Sequence, residues 1–226
     1  MSPRIRRVLQ DWLAAGARGI GQIEIKQTQI GFVLAHREDA GREDLELHRS
    51  PDDAEELAKF DDDGNYRPLK TAPNLRHNWR LELADLEAVQ RALDLFYPGR
   101  LAALTAWEAH RLATTPLRDT LDRQTGMYRI AAKISDDQVD VLVGRFCRSQ
   151  GGQPGCLRTI LWSRNHSGAR PSVQLPLDKF IAPLDQTGRG ENVMPLLCQE
   201  ACNLLVAETR KVVKESFRTE PRDSVA

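Results

Sequence analysis

PLLCQEACNLL, residues 195–205, is the stretch whose reading decides how the second half of this chain folds. Pro195 opens it, leucines fill it, and two of the four cysteines in the sequence, Cys198 and Cys202, stand in it. Apolar residues recurring through Val212 predict that Pro195 starts the last helix, with Leu196, Leu197, Leu204, Leu205 and Val212 on or near its inner face. Residues four apart on a helix share a face with Cβ atoms about 5–6 Å apart, so Cys198 and Cys202 would address one centre together. With Pro195 near the first helical position, Cys198 falls in the first turn, where free amides and the positive helix end favour a thiolate.

Working back along the chain, SDDQVDVLVGRFC (135–147) reads as another helix. Ser135 and Gln138 form a capping box, Val139, Leu142, Val143 and Phe146 make a buried stripe, and Cys147 ends the element. RSQGGQPG (148–155) follows, and its three glycines allow a tight loop that brings Cys156 back towards Cys147. The whole pattern is C-x8-C-x41-C-x3-C and uses every cysteine. It is not a common ferredoxin run, and single zinc sites favour closer knuckles. The spacing leaves open an iron–sulfur cluster, a structural zinc or unrelated buried thiols.

With 226 residues the chain can bury a core without covalent staples. Its N-terminus is basic and then apolar, but Gln10, Asp11 and Trp12 interrupt any signal-peptide core, and no apolar run reaches the roughly 18 residues of a membrane span. A cytoplasmic location is therefore expected, where thiols serve as ligands or catalysts more often than as bridges. Lysine plus arginine balances aspartate plus glutamate at 32 each, which recommends neither nucleic acid nor an anionic membrane as main partner.

The expected fold class is α+β: a small three-stranded unit over 1–83, a mainly helical unit over 84–213 and a flexible tail over 214–226. Ile5, Val8, Leu9, Trp12 and Leu13 predict a first helix from Pro3, capped by Ser2 and stopped by Gly16. GQIEIKQ, IGFVLAH and EDLELHR read as strands, the first two as a hairpin. A charged helix is expected from Ser50 to Phe60, then a turn at DDDGN (61–65). Leu86, Val89 and Leu93 predict a helix broken at Tyr97-Pro98-Gly99 and resumed through Leu101, Leu104 and Trp107. Thr115-Pro116 caps a further helix; MYRIAAKI (127–134) reads as strand-like, CLRTILW (156–162) as a strand or short helix, and 163–192 as a long surface excursion.

Several other features carry less. DDDGN is not a calcium loop, because Ala72 stands where a bidentate glutamate is needed. GARGIG (16–21) has its glycines in the wrong order for a dinucleotide motif. His36, His48, His77, His110 and His166 show no helical pairing and read mostly as surface residues. Trp79, with Arg76, His77 and Arg80, is weighed as a contact for an anionic ligand such as a porphyrinoid carboxylate against packing where the two units meet. Tyr128 and Trp162 are weighed as cluster shields against core residues, and Arg129, Arg148 and Arg158 as charges beside a cluster against ordinary surface arginines.

PLRDTLDRQTGMYRI (116–130), GCLRTILW (155–162), PLLCQEACNLLVAETR (195–210) and TAPNLRHNWRLEL (71–83) together resemble the 4Fe–4S cluster-binding domain and companion stabilising domain attached to CbiX-type, sirohydrochlorin-chelatase-like proteins. The resemblance is strongest in QTGMY, GCLR and CQEACN. It implies that Cys147, Cys156, Cys198 and Cys202 ligate one 4Fe–4S cluster, the second unit being the cluster domain and the first its stabiliser. It also implies a link to cobalamin or related tetrapyrrole metabolism, with a separately encoded chelatase-like protein, an electron donor and a tetrapyrrole as possible partners. No chelatase domain is expected in this sequence. An iron fully ligated by cysteines has no open position for substrate, so electron transfer or a structural role is expected, and no catalytic residue is assigned.

Overall fold

The computed structural model describes residues 3–67, 70, 73–147, 156–165 and 193–219. The chain divides into two compact units; among the described residues the first holds 3–112 and 193–197, the second 113–165 and 198–219.

In the first unit, α1 (Pro3–Ala14) buries Leu9 and Trp12 and stops before Gly16, whose φ of +101° suits glycine. The strands are β1 (Gly19–Ile20), β2 (Ile23–Thr28), β3 (Gly31–His36), β4 (Glu46–His48), β5 (Trp79–Leu83) and, from far along the chain, Val193–Met194. They form one mixed sheet, in which β4 runs parallel to β5, β5 antiparallel to β3, and β3 antiparallel to β2. β1 continues antiparallel to β2, and Val193–Met194 closes the sheet parallel to β1. β2 and β3 are the expected hairpin, turning through Gln29 and Ile30 between paired Thr28 and Gly31. The sheet is thus six-stranded rather than three. β5 shows a strict buried-intermediate alternation over WRLEL, and the two-residue strands are too short to leave a period in the sequence.

The charged helix expected from Ser50 forms only as α2 (Asp53–Leu57). DDDGN is a turn: Asp61 Oδ1 accepts the amides of Asp63 and Asn65, and Gly64 has a φ of +76°. α3 (Leu86–Phe96) is capped by Asp85, which accepts the Ala88 amide at 2.8 Å, and α4 (Arg100–Glu108) restarts after Gly99. α3 packs with α1 and the sheet and α4 with α1 and α3, so the first unit extends to Leu112 rather than to residue 83.

The second unit contains α5 (Leu117–Asp122), a 3-10 segment (Gly126–Lys133), α6 (Asp136–Cys147) and β6 (Arg158–Ile160). With Val193–Met194 as β7, strand β8 is Leu196–Cys198, and α7 is Asn203–Thr219. MYRIAAKI is therefore not a strand. Ile130, Ala131 and Ile134 turn to the core at helical spacing, while i→i+3 bonds from Tyr128 to Thr125 and from Ile134 to Ala131 wind the segment. The capping box forms as expected: Ser135 N donates to Gln138 Oε1 at 3.1 Å, and Gln138 N to Ser135 Oγ at 3.3 Å. The final helix continues to Thr219, past the expected start of a loose tail at 214. RSQGGQPG and residues 166–192 lie outside the described residues. Among the described residues no helix is long and apolar enough to cross a membrane.

Candidate metal centre

The helix expected from Pro195 is overturned where it matters most. Leu196, Leu197 and Cys198 are all buried and extended in β8, and the helix begins only at Asn203. The Cys198 carbonyl accepts the Leu161 amide at 2.9 Å, which gives this apolar stretch a hydrogen-bond partner that a sequence window cannot see. Cys198 and Cys202 therefore do not share a helix face; a turn through Gln199 and Glu200 separates them. Cys202 sits immediately before α7, and its carbonyl accepts the Val206 amide at 3.1 Å.

The four cysteines reach the same region by three routes. Cys198 belongs to the core cluster of Leu117, Leu121, Val139, Leu142, Trp162 and Leu205, and Cys147 and Cys202 pack against that cluster from its margin. Cys147 arrives as the last residue of α6. Cys156 returns to the end of the same helix, its amide donating to the Phe146 carbonyl at 3.1 Å. Its sulfur also lies near enough to Cys198 to act on that thiol electrostatically.

Trp162 is fully buried, and its indole Nε1–H points at Cys198 Sγ at 3.4 Å. The ring is held because α5 bonds to the chain around it: the Leu117 amide donates to Ser163 O at 2.8 Å and the Arg118 amide to Arg164 O at 3.1 Å. Cys198 Sγ in turn donates to Glu200 O at 3.2 Å. Burial pushes the Cys198 thiol up, while the Trp162 indole and the Arg158 guanidinium pull the other way and Cys156 adds to the rise. The thiolate-favouring helix terminus expected at Cys198 is therefore absent, because the residue is buried in a strand. Arg158 Nε is itself buried with no hydrogen-bond partner. The surroundings of Cys198, with Cys156 near it and the Trp162 indole N–H and Arg158 guanidinium acting on its sulfur, fit an anionic sulfur-rich group.

The other sequence candidates fall elsewhere. Trp79 is fully buried in the first unit, stacked on Phe96 with centroids 5.0 Å apart and donating to Arg76 O at 2.7 Å, so it offers no face to a ligand. Arg76 is paired with Glu46 at 2.8 Å and Arg80 with Glu82 at 3.4 Å. Tyr128 is partly exposed under the guanidinium of Arg210, and Arg129 is exposed. Arg148 lies outside the described residues. The sequence reading left Trp162 open between shield and core; it is a core residue that bonds to a cysteine.

Comparison with known proteins agrees with this division of labour. Residues 109–211 match the family model of a 4Fe–4S iron-sulfur cluster binding domain, and residues 6–111 match that of the DR2241 stabilising domain. No curated protein matches the chain. Among solved structures, DR2241 from Deinococcus radiodurans is similar with a TM-score of 0.69 and 29% identity. It is described as a multi-domain protein with structural similarity to chelatases but also with two additional novel domains. The match covers 91% of the present chain and 42% of DR2241, so the chain spans about two fifths of that protein's length. The chain is thus made, in order, of a segment matching the DR2241 stabilising domain and a segment matching the 4Fe–4S iron-sulfur cluster binding domain.

Proposed function

We propose that Cys147, Cys156, Cys198 and Cys202 hold one 4Fe–4S cluster, and that the chain is an electron-transfer or accessory component of cobalamin or related tetrapyrrole metabolism. A chelatase-like protein and an electron donor are its proposed partners. The observation that carries the reading is the meeting of thiols from α6, the chain before β6 and the β8–α7 turn around one apolar cluster. Among the described residues no three cysteine sulfurs lie within 4.8 Å of one another. The link to tetrapyrroles rests on the sequence resemblance to CbiX-type, sirohydrochlorin-chelatase-like proteins, beside which DR2241 adds only structural similarity to chelatases.

Bound there, the cluster supplies one-electron chemistry at a potential set by its surroundings. The protein's own contribution is legible. Trp162 Nε1–H and the Arg158 guanidinium favour negative charge on sulfur, and the surrounding leucines, valines and Trp162 keep water away from Cys198. Loading must remove the Cys198 proton now directed at Glu200 O, so cluster assembly releases protons and is favoured as pH rises.

Iron and acid-labile sulfide are to be measured per chain after anaerobic purification, in wild type and in Cys202→Ala. The expected result is brown protein with equal iron and sulfide, both falling together in the variant. Colourless protein containing zinc, or iron unaffected by the substitution, would overturn the assignment. Reversible bleaching by dithionite is the expected sign of electron transfer, and a cluster that resists reduction would leave only the structural role.

A further inference from the structure

Two histidines with no relation in the sequence meet in the first unit. His36 ends β3, and His77 stands two residues before β5, the strand antiparallel to it. Their ring centroids are 3.9 Å apart and their planes tilted by 54°. Glu38, in the 3-10 turn after β3 (Arg37–Asp39), brings Oε2 to 3.2 Å from His77 Nε2. One ligand atom from each of His36, Glu38 and His77 lies within 4.8 Å of the other two. On the far side of the ring, His77 Nδ1 is 2.5 Å from Asp62 Oδ2, and Asp62 Oδ1 accepts the His77 amide at 2.7 Å.

His36 is only 1% exposed, and its Nε2 is buried with no hydrogen-bond partner. Nδ1 accepts the Glu38 amide over a long 3.2 Å. A buried ring nitrogen left unsatisfied is costly, and it stands here beside a second imidazole and a carboxylate. Burial and the neighbouring His77 push the His36 pKa down to about 4, which leaves the ring in the neutral form that ligates metals.

We propose that His36, Glu38 and His77 form a second metal site, for a divalent first-row ion such as zinc, with Asp62 orienting His77 from behind. Imidazole nitrogen and carboxylate oxygen are borderline donors suited to zinc and its neighbours. A ligating histidine that gives its other N–H to a carboxylate is the usual supporting arrangement, and Asp62 supplies it. A metal at this point takes the place between His77 Nε2 and Glu38 Oε2 that a proton holds when His77 is charged. At His36 the ring proton passes from Nε2 to Nδ1, and the long amide bond is given up.

Three protein ligands leave one tetrahedral position for water or a small ligand. His77 and Asp62 also line an open pocket of about 900 Å³ on the Nδ1 side of the ring, whose wall carries Asp44, Glu46 and Asp61. The two arginines on the wall are tied to carboxylates, Arg42 to Asp39 and Asp44 and Arg76 to Glu46.

Full-length protein with its iron site loaded is to be freed of loosely held metal and titrated with zinc ions by calorimetry, the ligands being read by X-ray absorption. The expected result is one zinc per chain bound through nitrogen and oxygen at about 2.0–2.2 Å. Asp62→Asn should weaken it roughly 10–100-fold, and Glu38→Gln and His77→Gln at least as much. Glu38 is largely exposed and His77 partly so, and circular dichroism checks that each variant stays folded. Absence of stoichiometric zinc, zinc held by sulfur at about 2.3 Å, or wild-type affinity in either ligand variant would overturn the site.

Discussion

The cores of the two units end differently. In the first, Ile20, Ile23, Leu34, Trp79, Leu81 and Phe96 are fully buried, and His36, Asp39, Arg67 and Gln90 are among the polar side chains buried with them. In the second, Leu121, Ala131 and Trp162 are just as buried, but the same cluster runs out into Cys198 and is bordered by Cys147 and Cys202. The second core is edged by thiols, whereas the first unit holds no cysteine. Where ligands form part of a core's edge, what they bind contributes to folding free energy, because the unfolded chain has no such site. The first unit should fold without the cluster, and the second should depend on it.

That contrast can be broken most directly by removing iron with a chelator. The second unit should lose its cooperative unfolding transition and become sensitive to protease between α5 and α7, while the first unit's transition stays. A single transition that survives iron removal unchanged would show that thiols matter no more than leucines there. The reverse experiment is Trp79→Ala. Deleting a buried, stacked indole should cost about 3–5 kcal/mol, read as a lower melting temperature for the first unit at unchanged iron content.

A smaller effect is expected at Gly31, where the φ is +150° and an added Cβ would stand 2.2 Å from the Leu83 carbonyl oxygen. Because the obstacle is backbone of the neighbouring strand β5, Gly31→Ala should destabilise the first unit by roughly 1–3 kcal/mol in denaturant titration. The smallest is Ser135→Ala, which removes one half of the α6 capping box and should cost about 1 kcal/mol. Placed in the second unit, it should also loosen the helix that ends in Cys147, and a slower reconstitution with iron and sulfide would register that.

Local signals were read well wherever a few adjacent residues settle the matter. The capping box and the Asp61 turn rest on side chains within four residues of the backbone they satisfy, the stop at Gly16 on one residue's φ, and the β2–β3 hairpin on a two-residue turn. MYRIAAKI misled because alternation and helical spacing overlap in so short a run. Residues 195–202 misled for a different reason: a short apolar segment suits a buried strand as well as a helix. The choice was made by Leu161, whose amide meets Cys198 from 37 positions earlier in the chain. The histidines escaped notice because His36 and His77 come together only through the pairing of β3 with β5.

What this sequence determined by itself was composition and local chemistry: an α+β chain with balanced charge, its main helices, and four thiols in segments that resemble a cluster-binding domain. Only the tertiary structure decided that Cys198 lies in a strand under Trp162, that Trp79 is core, and that His36 and His77 touch. The reason is the range of the forces involved. Caps and turns are settled by bonds a few residues long, whereas burial and strand pairing depend on partners that the chain supplies from tens of residues away.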